Sequence, residues 1–245
     1  MILRPAEAAT KSGGGFLPAW AVIENAQRRA AADCWVVTQP DHAKLSGEIA
    51  SAISSSEYPR LDSDVVAGIA LHDAGWADFD TPGAPAVSFL DADPRQIGAA
   101  WTGSVEAAAQ ASAVAGYLVS RHFMRIAQSD QGANKPGSEA LLAAFVAREE
   151  QRQASLLEQQ RFTREELELF TDVLQFCDLI SLYLCCGAAD DVGFPQRFAG
   201  RAVRLRNTPE AFLLEPSPFA SPQMFWVKGR RAAGSEESVF AFALR

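Results

Sequence analysis

The segment 167–186 constrains the fold most, because it is long and almost entirely apolar. Thr163 and Glu166, just before it, have the spacing of a capping box, which predicts that a helix begins there. A helix that is apolar on nearly all sides must be buried on more than one face. We therefore expect a central helix against which the rest of the chain packs.

Asp178 lies in the middle of this apolar helix. Burying a carboxylate is costly unless a cation or several hydrogen-bond donors compensate for its charge. The segment 167–186 contains no Lys, Arg or His, so the compensating charge must come from another part of the fold. A metal ion that is held jointly by Asp178 and by histidines would supply it.

The three histidines of the chain fall on the inward faces of three other predicted helices. Apolar spacing predicts these helices, which are residues 40–54 with His42, residues 62–75 with His72, and residues 103–128 with His122. Asp73 follows His72 in the last turn of the second helix. Imidazole and carboxylate ligands suit divalent metal ions, so these residues predict a metal site.

The alternative interpretation is structural. A single inward histidine is more often a hydrogen-bonded core residue than a metal ligand. The ordered set of His42, His72, Asp73 and Asp178 nevertheless favours a metal site with positions left open for water. The expected cofactor is a divalent metal, and manganese, iron, nickel, zinc and magnesium all remain open.

This order of residues resembles the HD-domain superfamily of metal-dependent phosphohydrolases, which is defined by a His, a later His-Asp doublet and a distant Asp. Four segments are more similar to an uncharacterised bacterial family of unknown function (DUF3891-like), namely residues 39–47, 71–76, 120–122 and 176–183. This similarity spans residues 34–219. The chain has too few histidines for a dinuclear site of the oxygenase type, so a single metal, or one tight and one loose, is expected.

The resemblance implies a role for each residue of the motif. His42, His72, Asp73 and Asp178 would be the metal ligands, whereas His122 and either Gln39 or Asp41 would lie around them or on the substrate side. A divalent ion lowers the pKa of a bound water and polarises a phosphoryl or carbonyl oxygen. Asp73 could accept a proton from that water, and His122 could orient the substrate or protonate the leaving group.

A phosphate-bearing substrate would also need cationic contacts. Arg121 and Arg125, one helical turn apart beside His122, or Arg60 and Arg95 in loops, are the candidates, although a solvated surface charge is the more common role for each. Trp76 is a further candidate on the substrate side, although its ring would also close the core. Residues 81–93, which are rich in Pro, Gly and Asp, predict a long loop that carries binding groups or covers a site.

The expected function is therefore metal-dependent hydrolysis of a phosphoester or a nucleotide-like small molecule. A non-catalytic protein that uses the metal for regulation or for ligand sensing is the alternative. Hydrolysis of a carbon–nitrogen or ester bond at the same metal also stays open. Water or an anion on the metal would distinguish a catalytic site from a closed structural one.

Short alternating or apolar runs follow the central helix and predict strands. They cover residues 201–206, 211–214, 224–228 and 239–244, with a further strand at residues 34–37. We expect a single domain over residues 1–245 that is mainly α. In it, an HD-like helical core at residues 34–187 would hold the metal site, and a small antiparallel β subdomain would fill residues 188–245 with the N-terminal strand added.

Composition limits the partners and the location. The net charge of −8, from 30 acidic and 22 basic residues, excludes nucleic acid and anionic membranes as expected partners and leaves a small-molecule substrate. No apolar stretch has the length of a signal peptide or a membrane span, so we expect a cytoplasmic protein. The four cysteines lack metal-binding spacing and are expected to be buried thiols. A homodimer stays open.

Overall fold

The computed structural model describes residues 1–30, 33–129 and 138–245. It contains one mixed sheet of eight strands, which come from both the N-terminal and the C-terminal parts of the chain. The strands are β1 (Ile2–Pro5), β2 (Leu17–Pro18), β3 (Cys34–Val37), β4 (Val192–Phe198), β5 (Arg201–Asn207), β6 (Phe212–Glu215), β7 (Gln223–Arg231) and β8 (Glu237–Leu244). Their order across the sheet is β1-β3-β7-β8-β6-β5-β4-β2. The pairs β2–β4 and β6–β8 are parallel, and the other pairs are antiparallel.

One helix precedes β3, and the other helices lie between β3 and β4. Over the described residues they are α1 (Ala19–Arg29), α2 (Gln39–Ser51), α3 (Ser63–Leu71), α4 (Pro94–Ala111), α5 (Ala113–Ala127), α6 (Glu139–Leu157) and α7 (Arg164–Cys185), with 3₁₀ helices at Ala74–Asp78 and Phe89–Asp91. Within these same ranges no helix is both long and apolar enough to cross a membrane.

The prediction of a mainly α protein with a small antiparallel β subdomain is wrong. The chain is about 49% helix and 19% strand, and its sheet is mixed and continuous from β1 to β2. Strands β1 and β2 were not predicted, because they have only four and two residues and carry little periodicity. Strand β4 contains Gly193 and Pro195, which normally indicate a break. The predicted strand at residues 34–37 is confirmed as β3, which pairs with β1 and β7.

The single helix predicted over residues 103–128 is also wrong, because two helices, α4 and α5, cover this region. Ser112 separates them in an extended conformation, with φ −166° and ψ 161°. Its side chain accepts a hydrogen bond from the backbone N–H of Ala115 and so caps the start of α5. The apolar period continues across this break, which is why the periodicity alone indicates one helix.

Helix α7 is the central helix that the sequence predicts. Its capping box between Thr163 and Glu166 is present. Leu167, Leu174 and Ile180 have no exposed surface, and they belong to a core that extends continuously from the helices to the sheet. The four cysteines are free and buried, as predicted.

Close packing of α2 on α3 brings the first two histidines together. Gly47 makes it possible, because a Cβ at that position would lie 2.5 Å from Cβ of Ala70. As a result, the ring centroids of His42 on α2 and His72 at the end of α3 are 5.0 Å apart.

Candidate metal centre

Helices α2, α3 and α7 bring His42, His72 and Asp178 to one point. One ligand atom from each residue lies within 4.8 Å of the others. Both histidines have no exposed surface, and the Asp178 side chain is 13% exposed. The sequence predicts that these residues meet, and the structure brings them together.

Asp73 completes the group from the turn after α3. Its Oδ2 lies 2.9 Å from Nε2 of His42 and 3.8 Å from Nε2 of His72. The turn is held against α4 by Gly75, whose N–H donates to Oγ of Ser104 at 2.9 Å. A Cβ on Gly75 would overlap the carbonyl oxygen of Ala100, so glycine is required at this contact.

The spacing of these atoms fits a single divalent ion. Oδ1 of Asp178 lies 3.8 Å from Nε2 of His42 and 3.4 Å from Nε2 of His72. Ligands bound at about 2.0–2.2 Å are separated from one another by about 3.0–3.5 Å in tetrahedral or octahedral geometry. The observed distances therefore place His42, His72 and Asp178 within reach of one ion, and Asp73 lies beside the two histidines.

The hydrogen bonds of His72 turn a lone pair toward this point. Its Nδ1 lies 2.7 Å from the carbonyl oxygen of Ile69, which can only accept, so Nδ1 carries the hydrogen. Nε2 has no hydrogen-bond partner among the described residues and faces Asp178. A lone pair beside a carboxylate is unfavourable unless a proton or a cation lies between them.

Ser181 orients His42 in the same way. Its hydroxyl donates to the carbonyl oxygen of Asp178 at 2.9 Å and lies 2.7 Å from Nδ1 of His42, so it can accept the hydrogen of that nitrogen. Nε2 of His42 lies at hydrogen-bond distance, 2.9 Å, from Oδ2 of Asp73, so a hydrogen on Nε2 bridges the two atoms in the metal-free protein and a bound cation would take its place. Ser46, whose Oγ is 2.7 Å from Oγ of Ser181, extends this network between α2 and α7.

The charges of the group are strongly coupled. Burial lowers the pKa of His72, but the carboxylates of Asp73 and Asp178 outweigh it and raise the pKa to about 9. Burial raises the pKa of Asp178, but its contact with His72 outweighs that effect and lowers the pKa to about 2. Asp178 is therefore ionised at neutral pH and requires a positive charge beside it, which is either a proton on His72 or a metal ion.

His122 lies beside the group rather than within it. It projects from α5, is 2% exposed, and its Nε2 is 3.9 Å from Oδ2 of Asp178. Its Nδ1 has no hydrogen-bond partner in the described structure. Burial, together with the charge of His72, lowers the pKa of His122 to about 4, so the ring is neutral at pH 7.

A cavity of about 1510 Å³ opens onto the group. Asp73, His122 and Asp178 line it, and so do Gln39 and Trp76. Gln39 is 4% exposed and its Oε1 has no partner among the described residues, so it is available to a bound molecule. Trp76 is 4% exposed, so its ring is also part of the buried core.

The other predicted substrate residues are engaged elsewhere. Asp41 does not line the cavity, and it accepts a hydrogen bond from the Thr38 hydroxyl at 2.6 Å at the start of α2. Arg121 also lies outside the cavity lining and pairs with Glu168 at 2.7 Å. Arg125 lines the cavity, but Glu168 and Asp172 each lie 2.7 Å from its guanidinium.

Sequence reasoning missed Ser181 and Ser46. A signal for Ser181 exists, because it lies three residues after Asp178 and therefore on the same side of α7. The aromatic wall of the cavity was also missed, since residues such as Trp20 and Phe194 lie in elements that were not predicted.

Comparison with known proteins gives a family but no characterised relative. No curated protein and no solved structure matches the chain. Residues 26–230 match the family described as "Protein of unknown function (DUF3891)". This match includes all four residues of the candidate metal centre. The chain therefore belongs to the DUF3891 family of proteins of unknown function.

Proposed function

We propose that the protein is a metal-dependent hydrolase that cleaves a phosphoester in a small molecule, with nucleotide-like compounds included. One observation carries this proposal. The Nε2 atoms of two buried imidazoles face the carboxylates of Asp73 and Asp178 at 2.9–3.8 Å, beside a cavity large enough for a substrate.

The donor set supports a catalytic role for the ion over a structural one. His42, His72, Asp73 and Asp178 would hold it, and two of these residues also line the cavity. Structural sites are closed by protein ligands, whereas catalytic sites keep a position for water or substrate. Imidazole nitrogens combined with carboxylate oxygens are compatible with manganese, iron, nickel or zinc, and less readily with magnesium.

The residues of the site have distinct tasks in this proposal. A divalent ion bound there would lower the pKa of a water molecule and polarise a phosphoryl oxygen. Asp73 lines the cavity and can accept the proton that the water loses. His122 lines the cavity with an unpaired ring nitrogen, and because the ring is neutral at pH 7 its task is to orient the substrate through a hydrogen bond.

The ligand order supports a phosphoester over an ester or a carbon–nitrogen bond. His42, the doublet His72-Asp73 and Asp178 follow one another as in the HD-domain superfamily of metal-dependent phosphohydrolases. The mixed sheet departs from the mainly helical fold expected from that resemblance, so the support comes from the ligands alone.

The buried free cysteines favour a reducing compartment, and we propose a cytoplasmic location.

The experiment is an activity panel on the purified chain with Mn²⁺ or with EDTA. The substrates are p-nitrophenyl phosphate, bis-p-nitrophenyl phosphate, nucleoside monophosphates and p-nitrophenyl acetate. We expect Mn²⁺-dependent release of phosphate or of an alcohol from a phosphoester, and its loss in His72→Ala and Asp178→Asn. Asp33→Asn is the matched control, because the Asp33 side chain is 70% exposed and lies outside the cavity lining.

Other outcomes point to the alternatives. A protein that binds Mn²⁺ but hydrolyses none of these compounds would favour a metal-pinned regulatory or sensing role. Hydrolysis of the acetate alone would replace the phosphoester with a carboxylic ester as the substrate class. Activity in His72→Ala equal to that of the wild type would remove the metal centre from the mechanism.

A further inference from the structure

The cavity is larger than a small phosphoester requires. Its volume of about 1510 Å³ exceeds the range of about 300–1,000 Å³ that is typical of small-molecule pockets. A phosphate group at the metal centre would occupy only the end near Asp73 and Asp178. The remaining volume indicates that the rest of the ligand is bulky.

The wall beyond the metal centre is apolar and largely aromatic. It begins at Leu179, the residue after Asp178, and continues through Trp20 on α1, Phe89 in the second 3₁₀ helix and Phe194 on β4. The rings of Trp20 and Phe89 pack edge to face, with centroids 6.2 Å apart. Four separate elements therefore contribute apolar side chains to the cavity lining, which suits an aliphatic or aromatic group.

The basic side chains of the cavity are already paired. Over the described residues, the arginines that line it are Arg28, Arg125 and Arg197. Arg28 lies 2.7 Å from Glu24, and Arg125 lies 2.7 Å from Asp172. Arg197 donates to the carbonyl oxygen of Gly200 at 2.6 Å. A di- or triphosphate needs several free cations, so this cavity is suited to a ligand with a single phosphate.

Buried polar atoms without a partner point to a ligand in this cavity. Oε1 of Gln39, Nδ1 of His122 and Oε1 of Gln196 lack hydrogen bonds in the described structure, and all three residues line the cavity. Their exposed fractions are 4%, 2% and 9%. Buried polar groups are nearly always hydrogen-bonded, so a bound molecule or water must supply the missing partners.

From these observations we infer that the substrate is amphipathic, with one phosphate group at the metal centre and a bulky aliphatic or aromatic body along the wall formed by Trp20, Phe89, Leu179 and Phe194. This inference rests on the proposed function, since the metal centre holds the phosphate. It narrows the substrate class to phosphoesters of apolar alcohols and disfavours nucleoside di- and triphosphates.

The test uses phosphonates, which the enzyme cannot hydrolyse because their phosphorus–carbon bond replaces the ester. Calorimetric titration of the Mn²⁺-loaded chain compares methyl-, butyl- and hexylphosphonate. Each buried methylene is expected to tighten binding by roughly fourfold. ATP and pyrophosphate are expected to bind more weakly than hexylphosphonate.

Two wall variants locate the apolar contact. Trp20→Ala is expected to weaken hexylphosphonate binding by about tenfold or more and to leave methylphosphonate binding unchanged. Phe89→Ala, at a half-buried position of the same wall in the second 3₁₀ helix, should act in the same direction and serves if Trp20→Ala does not fold. Trp226→Ala is the matched control, because Trp226 is 55% exposed on β7 and outside the cavity lining.

The outcomes separate this inference from the proposed function. Equal affinity for the three phosphonates in a chain that binds Mn²⁺ and hydrolyses phosphoesters would overturn the inference and leave the function standing. A gain with chain length that persists in EDTA, in a chain without Mn²⁺-dependent hydrolysis, would support the apolar wall and remove the function. Tighter binding of ATP than of hexylphosphonate would also overturn the inference.

Discussion

Nε2 of His72 lies 3.4 Å from Oδ1 of Asp178, with no hydrogen bond between the two atoms. The hydrogen of this imidazole is already on Nδ1, where it is donated to the carbonyl oxygen of Ile69. Because the carboxylates raise the pKa of His72 to about 9, a second proton on Nε2 faces Asp178 in the metal-free protein, and a bound cation would replace it. This relationship explains how an apolar helix accommodates Asp178, provided that a cation occupies the space between them.

Ser181→Ala tests the orientation of His42. The hydroxyl of Ser181 lies 2.7 Å from Nδ1 of His42, and without it the ring loses the contact that directs Nε2 to the metal centre. Loss of such a supporting hydrogen bond typically weakens metal binding by about 10–100-fold. We expect a Mn²⁺ affinity reduced by that factor, measured by isothermal titration calorimetry.

Thr171→Val is the control for this change. Thr171 is buried on the same helix, and its hydroxyl bonds only the carbonyl oxygen of Leu167 among the described residues. Removing it should lower the free energy of unfolding by about 1 kcal/mol without affecting Mn²⁺ affinity. Equal Mn²⁺ affinities in Ser181→Ala and Thr171→Val would contradict the orienting role.

Gly75→Ala tests the close contact that positions Asp73. The new Cβ would overlap the carbonyl oxygen of Ala100 and lie 2.6 Å from the backbone nitrogen of Ser104. The turn would have to move away from α4, which should reduce the free energy of unfolding by about 1–3 kcal/mol and weaken Mn²⁺ binding. Urea denaturation and metal titration measure the two effects.

Gly98→Ala provides the comparison within α4. A Cβ on Gly98 would meet no atom within 4 Å. Alanine in place of a helical glycine should therefore raise the free energy of unfolding by about 0.5–1 kcal/mol, with Mn²⁺ affinity unchanged. If Gly75→Ala were as stable as Gly98→Ala, the turn would not depend on this contact.

The lowered pKa of His122 predicts that the free energy of unfolding of the metal-free protein depends on pH. Burial and the charge of His72 lower its pKa to about 4, against 6.5 in an unfolded chain. Between these values the unfolded state binds more protons, so the stability that neutral His122 contributes is present above pH 6.5 and is lost as the pH falls to 4. The shift corresponds to about 3 kcal/mol.

The measurement is urea denaturation in EDTA between pH 7 and pH 4, for the wild type and for His122→Asn. The variant lacks the titrating group, so its free energy of unfolding should fall less steeply over this range. Comparison of slopes removes any constant effect of the substitution on stability. Identical slopes for the two proteins would show that His122 does not titrate in this window.

The residues of the candidate metal centre could be predicted to meet because they have strong signatures. An aspartate in an apolar helix requires a partner, and histidines on apolar faces indicate where that partner comes from. The capping box at Thr163 and Glu166 predicts the start of α7 correctly. Periodicity and capping are local properties, so they can be recognised without the fold.

The sheet could not be predicted in the same way, because its assembly depends on contacts between distant residues. Strand β2 has two residues and becomes part of the sheet only by pairing Leu17 with Val192. The cavity wall combines Trp20 with Phe194 for the same reason. The sequence predicts Arg125 as a phosphate contact, but the fold places Asp172 beside its guanidinium, which a local pattern cannot show.

Metal content tests the central claim most directly. The purified chain is dialysed against Mn²⁺ and its metal content is measured by mass spectrometry, together with His72→Ala, Asp178→Asn and the control Asp33→Asn. We predict one ion per chain in the wild type and in Asp33→Asn, and an affinity lower by more than about 100-fold in the other two variants when their circular dichroism is native. A wild-type chain that binds no Mn²⁺, Zn²⁺ or Fe²⁺, or a His72→Ala variant that binds as tightly as the wild type, would contradict the account.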